Sequence, residues 1–222
     1  MGGDAPELTV HDRKELLEAL LGALLAVDQA AALGIVAQAV KAGWSADDVR
    51  FGLITPALYE VGVRWQRGEI GVAEEHLATS VCEWLLFGLA GSAPRSPATG
   101  RRAVVGCSAG ELHELGARIV GHVLVERGWR VLQLGASTPT DAWSQTVRAR
   151  HPDAAVVCTS TQIQLQHVGD ALEAIKAVRP QCRTVVGGQA YWGLREPAAV
   201  IPADHIVLEA RSLASELETA LD

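Results

Sequence analysis

The sequence of 222 residues predicts an α/β protein in which a small helical bundle precedes a doubly wound parallel sheet. Three observations support this fold class. Apolar residues recur at helical spacing in the first part, whereas the second part alternates short apolar strands with helices, which is typical of a parallel sheet covered on both faces. Between them, residues 92–100 are small, polar and proline-rich, as expected of a linker. We therefore predict a bundle over residues 7–91 and an α/β domain over residues 101–222.

The first part contains four predicted helices. The first carries pairs of leucines at helical spacing, and the second follows Asp28, which can cap its first turn. Ser45 is the predicted N-cap of a third helix that extends to Arg67. Pro56 lies inside that helix, so we expect a kink or a local break there. The fourth helix covers residues 72–90.

Five strands are predicted in the second part. They are expected in the segments RRAVVGCS (101–108), WRVLQLGA (129–136), AAVVCTS (154–160), CRTVVGGQA (182–190) and DHIVLEA (204–210). Helices lie between them, the weakest over LREPAAVI (194–201). This alternation is that of a Rossmann-like, flavodoxin-like sheet, in which ligands bind at the carboxyl ends of the strands near the point where strand order reverses. The loops after the first, third and fourth strands are therefore candidate sites.

Charge and composition exclude several classes of function. The net charge is −7, with −6 in residues 1–95 and −1 in residues 96–222, and neither part has a cluster of basic residues. We therefore expect no direct nucleic-acid binding. No apolar run reaches the roughly 20 residues that cross a bilayer, and the first residues do not resemble a signal peptide. The four cysteines are widely spaced without a CxxC pair, so we predict a cytoplasmic protein with reduced thiols.

The loop after the first predicted strand places an imidazole at the ligand edge of the sheet. It reads AGELHELG over residues 109–116 and lacks the spaced glycines of a dinucleotide site. If the loop is extended, Glu111 lies on the same side as His113. A carboxylate that accepts the Nδ1 proton would orient the ring and leave Nε2 to bind a metal. Taken alone, the pattern also describes an ordinary surface histidine.

The pattern Glu-x-His-x-x-Gly resembles the lower-ligand motif of cobalamin-binding domains, which more often begins with aspartate. In that family the histidine replaces the cofactor's own benzimidazole on cobalt, and the displaced nucleotide tail enters the domain beside the sheet. A hydroxyl after the third strand and a glycine pair after the fourth complete the family pattern. The matching residues here are Glu111, His113, Gly116, Ser160 with Thr161, and Gly187 with Gly188. The resemblance implies that they bind cobalamin and that His113 is the cobalt ligand.

A second pattern lies in the helical part. Trp65, followed after nine residues by Glu75 and His76, resembles the Trp-x9-Glu-His pattern of cobalamin-dependent photoreceptors, which include light-responsive repressors of the CarH type. In that family the bundle caps the upper face of the corrin, the tryptophan packs against the upper axial group, and the Glu and His flank the same pocket. The resemblance covers about residues 10–215. It implies adenosylcobalamin as cofactor and a light-driven change in bundle packing or assembly.

Two features depart from that family. CarH-type repressors carry an N-terminal helix-turn-helix domain, for which this sequence has no room before its first bundle helix. We therefore expect action through a protein partner such as a transcriptional regulator, or through a homo-oligomer, without direct contact to DNA. In CarH-type sensors a histidine directly after the tryptophan takes the cobalt once light has broken the Co–C bond. Gln66 stands at that position, which leaves open both the light-state ligand and whether the upper ligand is adenosyl.

The sequence thus predicts a stand-alone, cobalamin-binding photoreceptor and regulatory protein rather than an enzyme. A corrinoid carrier for methyl transfer shares the layout and the histidine motif. A carrier must expose cobalt to its methyltransferases, however, and Trp65 favours the sensor. Gln66 also keeps a bilin such as biliverdin open as the chromophore. Tyr191 and Trp192, after the glycine pair, either line the tail site or cover one end of the sheet.

Overall fold

The structure is a computed structural model that describes residues 10–89, 96–192, 194 and 201–221. The chain divides into two compact units, residues 1–93 and 94–222. Within the described ranges, none of the helices is both long enough and apolar enough to span a bilayer.

The first unit is helical. It contains α1 (Val10–Leu25), α2 (Gln29–Lys41), α3 (Ala46–Val49), a π-helical segment (Arg50–Ile54), α4 (Thr55–Gln66) and α5 (Val72–Leu89). The Asp28 carboxylate accepts a hydrogen bond from the Ala31 N–H at 2.9 Å and so caps α2, as predicted. The Ser45 hydroxyl accepts from the Asp48 N–H while the Asp48 carboxylate accepts from the Ser45 N–H, which forms a capping box at the start of α3.

The third predicted helix is interrupted by the π-helical segment. The Thr55 N–H donates to the carbonyl of Arg50, five residues earlier, which widens the turn. Pro56 follows directly in the first turn of α4, where its missing N–H is tolerated. The predicted local break is therefore present, as a widened turn ahead of the proline. This segment packs against α1 and buries Leu53 and Ile54.

The second unit is built on a five-stranded parallel sheet, which confirms the predicted fold class. Its elements are β1 (Arg102–Cys107), α6 (Leu115–Glu126), β2 (Arg130–Gly135), α7 (Thr140–Arg150), β3 (Ala154–Cys158), α8 (Leu165–Val178), β4 (Arg183–Gly187), β5 (His205–Val207) and α9 (Leu213–Leu221). The strand order β2-β1-β3-β4-β5 is that of the flavodoxin-like fold. β5 is shorter than its predicted segment, and the weak helix predicted over 194–201 lies almost wholly outside the described residues.

The register of the central strands brings their carboxyl ends to one level. Cys107 at the end of β1 pairs with Cys158 at the end of β3, and Cys158 pairs with Gly187 at the end of β4. β1 and β3 are buried on both faces, as their continuous apolar sequences predict, whereas the edge strand β2 is partly exposed. The loops that follow β1, β3 and β4 therefore meet at the same edge of the sheet.

Thiols and indole rings are buried in the core. All four cysteines are free and buried. Burial raises the pKa of the thiols of Cys82 and Cys158 to about 12, so these side chains act as small apolar groups. Trp129 and Trp143 are also buried, and their indole rings pack in the core.

The described end of the predicted linker is tied to the α/β unit. The Ser96 N–H donates to the Glu126 carbonyl at 2.7 Å, and the Thr99 N–H donates to the Gly128 carbonyl at 3.0 Å. Gly128 has a φ of +84°, and a Cβ there would collide with the carbonyl oxygen of Pro97. Residues 96–99 therefore run along the C-terminal end of α6.

Candidate cofactor site

The candidate site lies where the strand order reverses, between β1 and β3. The Ser108 N–H donates to the Cys158 carbonyl at 3.3 Å, and the Thr159 N–H donates to the Gly187 carbonyl at 2.9 Å. The hydroxyls of Ser108 and Thr159 are 3.1 Å apart and buried. These contacts connect the loops after β1, β3 and β4 into one rigid edge.

One buried carboxylate joins two of these loops. Glu111 is 1% exposed, and its Oε1 accepts from the His113 N–H at 2.9 Å and lies 2.5 Å from His113 Nδ1. Its Oε2 accepts from the N–H groups of Ser160 at 2.7 Å and Thr161 at 3.2 Å. A glutamate replaces the more common aspartate here, and its two oxygens reach both loops.

The hydrogen bonds keep Glu111 ionised. Burial by itself raises the pKa of this carboxyl, but hydrogen bonds from the His113 ring, the His113 N–H and the Ser160 N–H outweigh burial and lower the pKa to about 2. An ionised carboxylate only accepts hydrogen bonds, so Nδ1 is the nitrogen of His113 that carries the proton.

The geometry suits His113 to metal binding. In the neutral ring with its proton on Nδ1, Nε2 carries the lone pair that a metal would use. The His113 side chain is 60% exposed, while its backbone carbonyl lies 3.8 Å from the Cys107 Sγ. The structure thus presents the imidazole to the outside on a backbone that is held in place.

Three positions in the segments that carry His113 and Thr161 are open or exposed. Gly116 lies in the first turn of α6, and a Cβ built there would meet no atom within 4 Å. Glycine inside a helix costs about 1 kcal/mol relative to alanine, and the packing of this chain gives no reason for it. Leu112 and Ile163, in the two loops that Glu111 joins, are largely exposed. This arrangement fits a broad ligand with an apolar face.

The predicted glycine pair has a role in the fold itself. Gly188 has a φ of +120°, and a Cβ there would collide with the carbonyl oxygen of Thr159. A Cβ on Gly187 would lie 2.9 Å from the Val207 carbonyl oxygen. Both glycines are therefore required by close backbone packing.

Of the two aromatic residues that follow the glycine pair, Tyr191 is buried in the core of the sheet, whereas Trp192 is exposed.

The bundle carries the second set of predicted residues. Trp65 lies in the last turn of α4 and is 44% exposed, so it is not a core residue. The Glu75 carboxylate lies 2.7 Å from the His76 Nδ1 and accepts from the Thr79 hydroxyl at 2.9 Å. Residues 67–71 connect α4 to α5, so Trp65 and the Glu75–His76 pair lie at the same end of the bundle.

Two contacts at the carboxyl edge of the sheet were not predicted from the sequence. The Ser137 hydroxyl accepts from the Gly110 N–H at 3.1 Å, and the Gln164 side chain donates to the Gly110 carbonyl at 3.4 Å. Ser137 follows β2, and its position after a predicted strand is the one signal that the sequence offers. The loops predicted as candidate sites were those after the first, third and fourth strands, so the loop after β2 was missed.

Comparison with known proteins gives family matches in both parts of the chain. Two family models, each described as a B12 binding domain, match residues 16–86 and 101–218. The HTH-type transcriptional repressors CarA and CarH of Myxococcus xanthus are 34% and 31% identical to this chain over 62% of its length. These alignments cover 46% of each repressor, so the chain spans about half the length of these curated relatives.

Corrinoid proteins align over more of the chain. The dimethylamine corrinoid protein of Methanosarcina barkeri is 23% identical over 79% of this chain and 84% of its own length. The structure of the monomethylamine corrinoid protein of the same organism covers 93% of this chain and 99% of that chain with a TM-score of 0.78 and 18% identity, which shows a shared fold. One of the two family models covers more than half of the sequence, and the chain belongs to the B12-binding domain family.

Proposed function

We propose that this protein holds cobalamin at the carboxyl edge of its sheet, with His113 as the lower axial ligand of cobalt, and that it acts as a light-responsive regulatory protein. The observation that carries the proposal is the contact between Glu111 and His113. A buried carboxylate, fixed by two backbone N–H groups, orients an exposed imidazole for a metal.

The residues at this edge fit the proposed cofactor. The open space beside Gly116 and the exposed side chains of Leu112 and Ile163 suit the broad, apolar face of a corrin. Ser160, Thr161, Gly187 and Gly188 would surround the nucleotide tail. When bound, adenosylcobalamin supplies a cobalt–carbon bond that light breaks.

The bundle is proposed to sense that change. Trp65, Glu75 and His76 would contact the upper axial side of the cofactor, which the exposure of Trp65 and the Trp-x9-Glu-His spacing support. Since Gln66 replaces the expected histidine, we propose that water or a more distant histidine completes the light state. Identity to the repressors CarA and CarH supports a regulatory role, with a transcriptional regulator as the proposed partner.

The test is to load the protein with adenosylcobalamin in the dark, illuminate it, and compare absorption spectrum and size by light scattering. We expect both to change, because losing the upper group leaves a void beneath a large aromatic ring. Trp65→Ala should alter the spectrum and size of the dark state. Trp84→Ala is the matched control and should leave both unchanged, since Trp84 is a second exposed tryptophan of the bundle (48%). A spectrum that light leaves unchanged would contradict the sensor.

A corrinoid carrier for methyl transfer is the second candidate. The alignment with the dimethylamine corrinoid protein over most of both chains favours it. A carrier would take a methyl group on reduced cobalt, would respond weakly to light, and would tolerate Trp65→Ala. The comparisons support cobalamin and give no support to a bilin. Failure to bind cobalamin, together with a long-wavelength band after addition of biliverdin, would be needed to revive that alternative.

A further inference from the structure

We propose that Ser137 and Gln164 are positioning residues that clamp Gly110, the residue before Glu111, and thereby set the orientation of His113. The inference rests on the proposed role of His113 as the cobalt ligand. Gly110, the residue between the two clamping side chains, is held at its N–H by the Ser137 hydroxyl (3.1 Å) and at its carbonyl by the Gln164 amide (3.4 Å).

Ser137 holds the ligand loop at two points. Besides its hydroxyl contact to Gly110, its backbone N–H donates to the Glu111 carbonyl at 2.8 Å. The next residue, Thr138, donates its N–H to the Cys107 carbonyl at 3.3 Å, which ties the same segment to the end of β1. The loop after β2 is thereby attached to the backbone on both sides of the Glu111 side chain.

Gly110 has a backbone that only glycine adopts easily, and the Gln164 amide lies close to where its Cβ would be. Its φ is +77°, and a Cβ there would lie 2.8 Å from the Gln164 Oε1. Gln164 stands at the start of α8, directly after the loop whose N–H groups bind Glu111. The clamp therefore draws on the loops after β2 and β3, on either side of the ligand loop.

Ser137 itself adopts an unfavourable backbone conformation. Its φ is +44°, in the left-handed region that non-glycine residues rarely occupy. A glycine would adopt this conformation more easily, so the backbone gives no reason for a serine. The hydroxyl contact to Gly110 gives one. Local strain that a side-chain contact offsets is typical of residues that position a functional group.

The physical consequence is a defined geometry for the carboxylate. Oε1 of Glu111 reaches the His113 ring from a backbone whose preceding residue, Gly110, is held by the clamp. Without the two side-chain contacts Gly110 is held less firmly, so the tautomer and direction of the His113 ring are less well defined. Changes to residues that orient a metal ligand typically weaken binding about 10–100-fold.

The experiment compares Ser137→Gly, Ser137→Ala and Gln164→Glu with wild type, using two readouts. The first is the NMR signal of the His113 Nδ1 proton in protein without cofactor, assigned with His113→Gln. The second is the Kd for hydroxocobalamin. Ser144→Ala is the matched control, since the Ser144 hydroxyl donates to the carbonyl of Asp141 within its own helix at 2.9 Å.

We expect the three variants to broaden or lose the Nδ1 proton signal and to raise the Kd about 10-fold, with Ser144→Ala unchanged. Ser137→Ala removes only the hydroxyl, and Ser137→Gly is decisive because it removes the hydroxyl while relieving the backbone strain, so added strain cannot explain its effect. If Ser137→Gly keeps both the signal and the wild-type Kd, the clamp has no positioning role. Failure of the wild type to bind hydroxocobalamin would instead contradict the proposed function, and the NMR comparison would still decide the role of Ser137.

Discussion

Single residues at the edge of the sheet explain how one imidazole is prepared for a metal. Glu111 accepts hydrogen bonds from its own loop and from the backbone of the loop after β3, so its position is set from two sides. His113 is then oriented by a group that has little freedom to move. The pair combines a buried anchor with an exposed ring.

Replacing Glu111 with glutamine tests the anchor. The pKa of this carboxyl falls from 4.5 to about 2 on folding, so its charge stabilises the fold fully above about pH 4.5, and this contribution is lost as the pH falls through 2. A shift of this size corresponds to about 3 kcal/mol. We expect Glu111→Gln to lower the free energy of unfolding by about that amount at pH 7, and the difference from wild type to shrink below pH 4.

Urea denaturation at several pH values measures this effect. Glu173→Gln, at an exposed position of α8, is the control and should change stability little. A Glu111→Gln variant as stable as wild type at neutral pH would show that the carboxylate is not the anchor.

Replacing Gly116 should have opposite effects on the stability of the protein and on its affinity for cobalamin. Because the space around its missing Cβ is open, Gly116→Ala should stabilise the cofactor-free protein by up to about 1 kcal/mol through helix propensity. If the corrin occupies that space, the same change weakens cobalamin binding. Gly34→Ala in α2 has equally open surroundings and should stabilise without affecting binding. Equal cobalamin affinity in both variants would argue against a ligand beside Gly116.

The sequence predicts only part of this site, and the reason is distance along the chain. Glu111 and His113 are two residues apart, so their contact follows from an extended loop. The contact between Ser137 and Gly110 spans 27 residues and exists because β2 pairs with β1. A pairing of this kind leaves no local pattern. The packing role of Gly188 against Thr159 also depends on strand register, so the sequence could not show it.

At the level of elements, the helix starts were predictable because caps are local. Asp28 and Ser45 cap the helices that follow them. The widened turn ahead of Pro56 was not predictable in this form, because hydrophobic periodicity does not specify to which carbonyl the Thr55 N–H donates. β5 ends early because its ladder ends where Gly187 of β4 pairs with Val207. Strand length here depends on the neighbouring strand.

The capping box of α3 gives a prediction at this scale. Ser45→Ala removes the acceptor for the Asp48 N–H and should lower the stability of the bundle by about 0.5–2 kcal/mol. Thermal denaturation followed by circular dichroism measures the loss. Ser80→Ala, at an exposed position inside α5, should be neutral or slightly stabilising. Equal melting temperatures for the two variants would show that the box contributes nothing.

The charge of the whole molecule bears on whether it binds nucleic acid. The net charge of −7, most of it in the first 95 residues, opposes contact with phosphate backbones. We expect this chain to show no tight binding to duplex DNA in a mobility-shift assay, even at low salt. Retention that weakens steeply as salt is added would contradict this prediction, since it would reveal phosphate contacts.

The central claim is that His113, held by Glu111, is the lower ligand of cobalt. The most direct test is the absorption spectrum of cobalamin bound to wild type and to His113→Ala, with His167→Ala as the control for an exposed histidine on α8. We expect a shift toward the base-off spectrum and weaker cobalamin binding in His113→Ala alone. An unchanged spectrum in His113→Ala, with cobalamin still tightly bound, would contradict it.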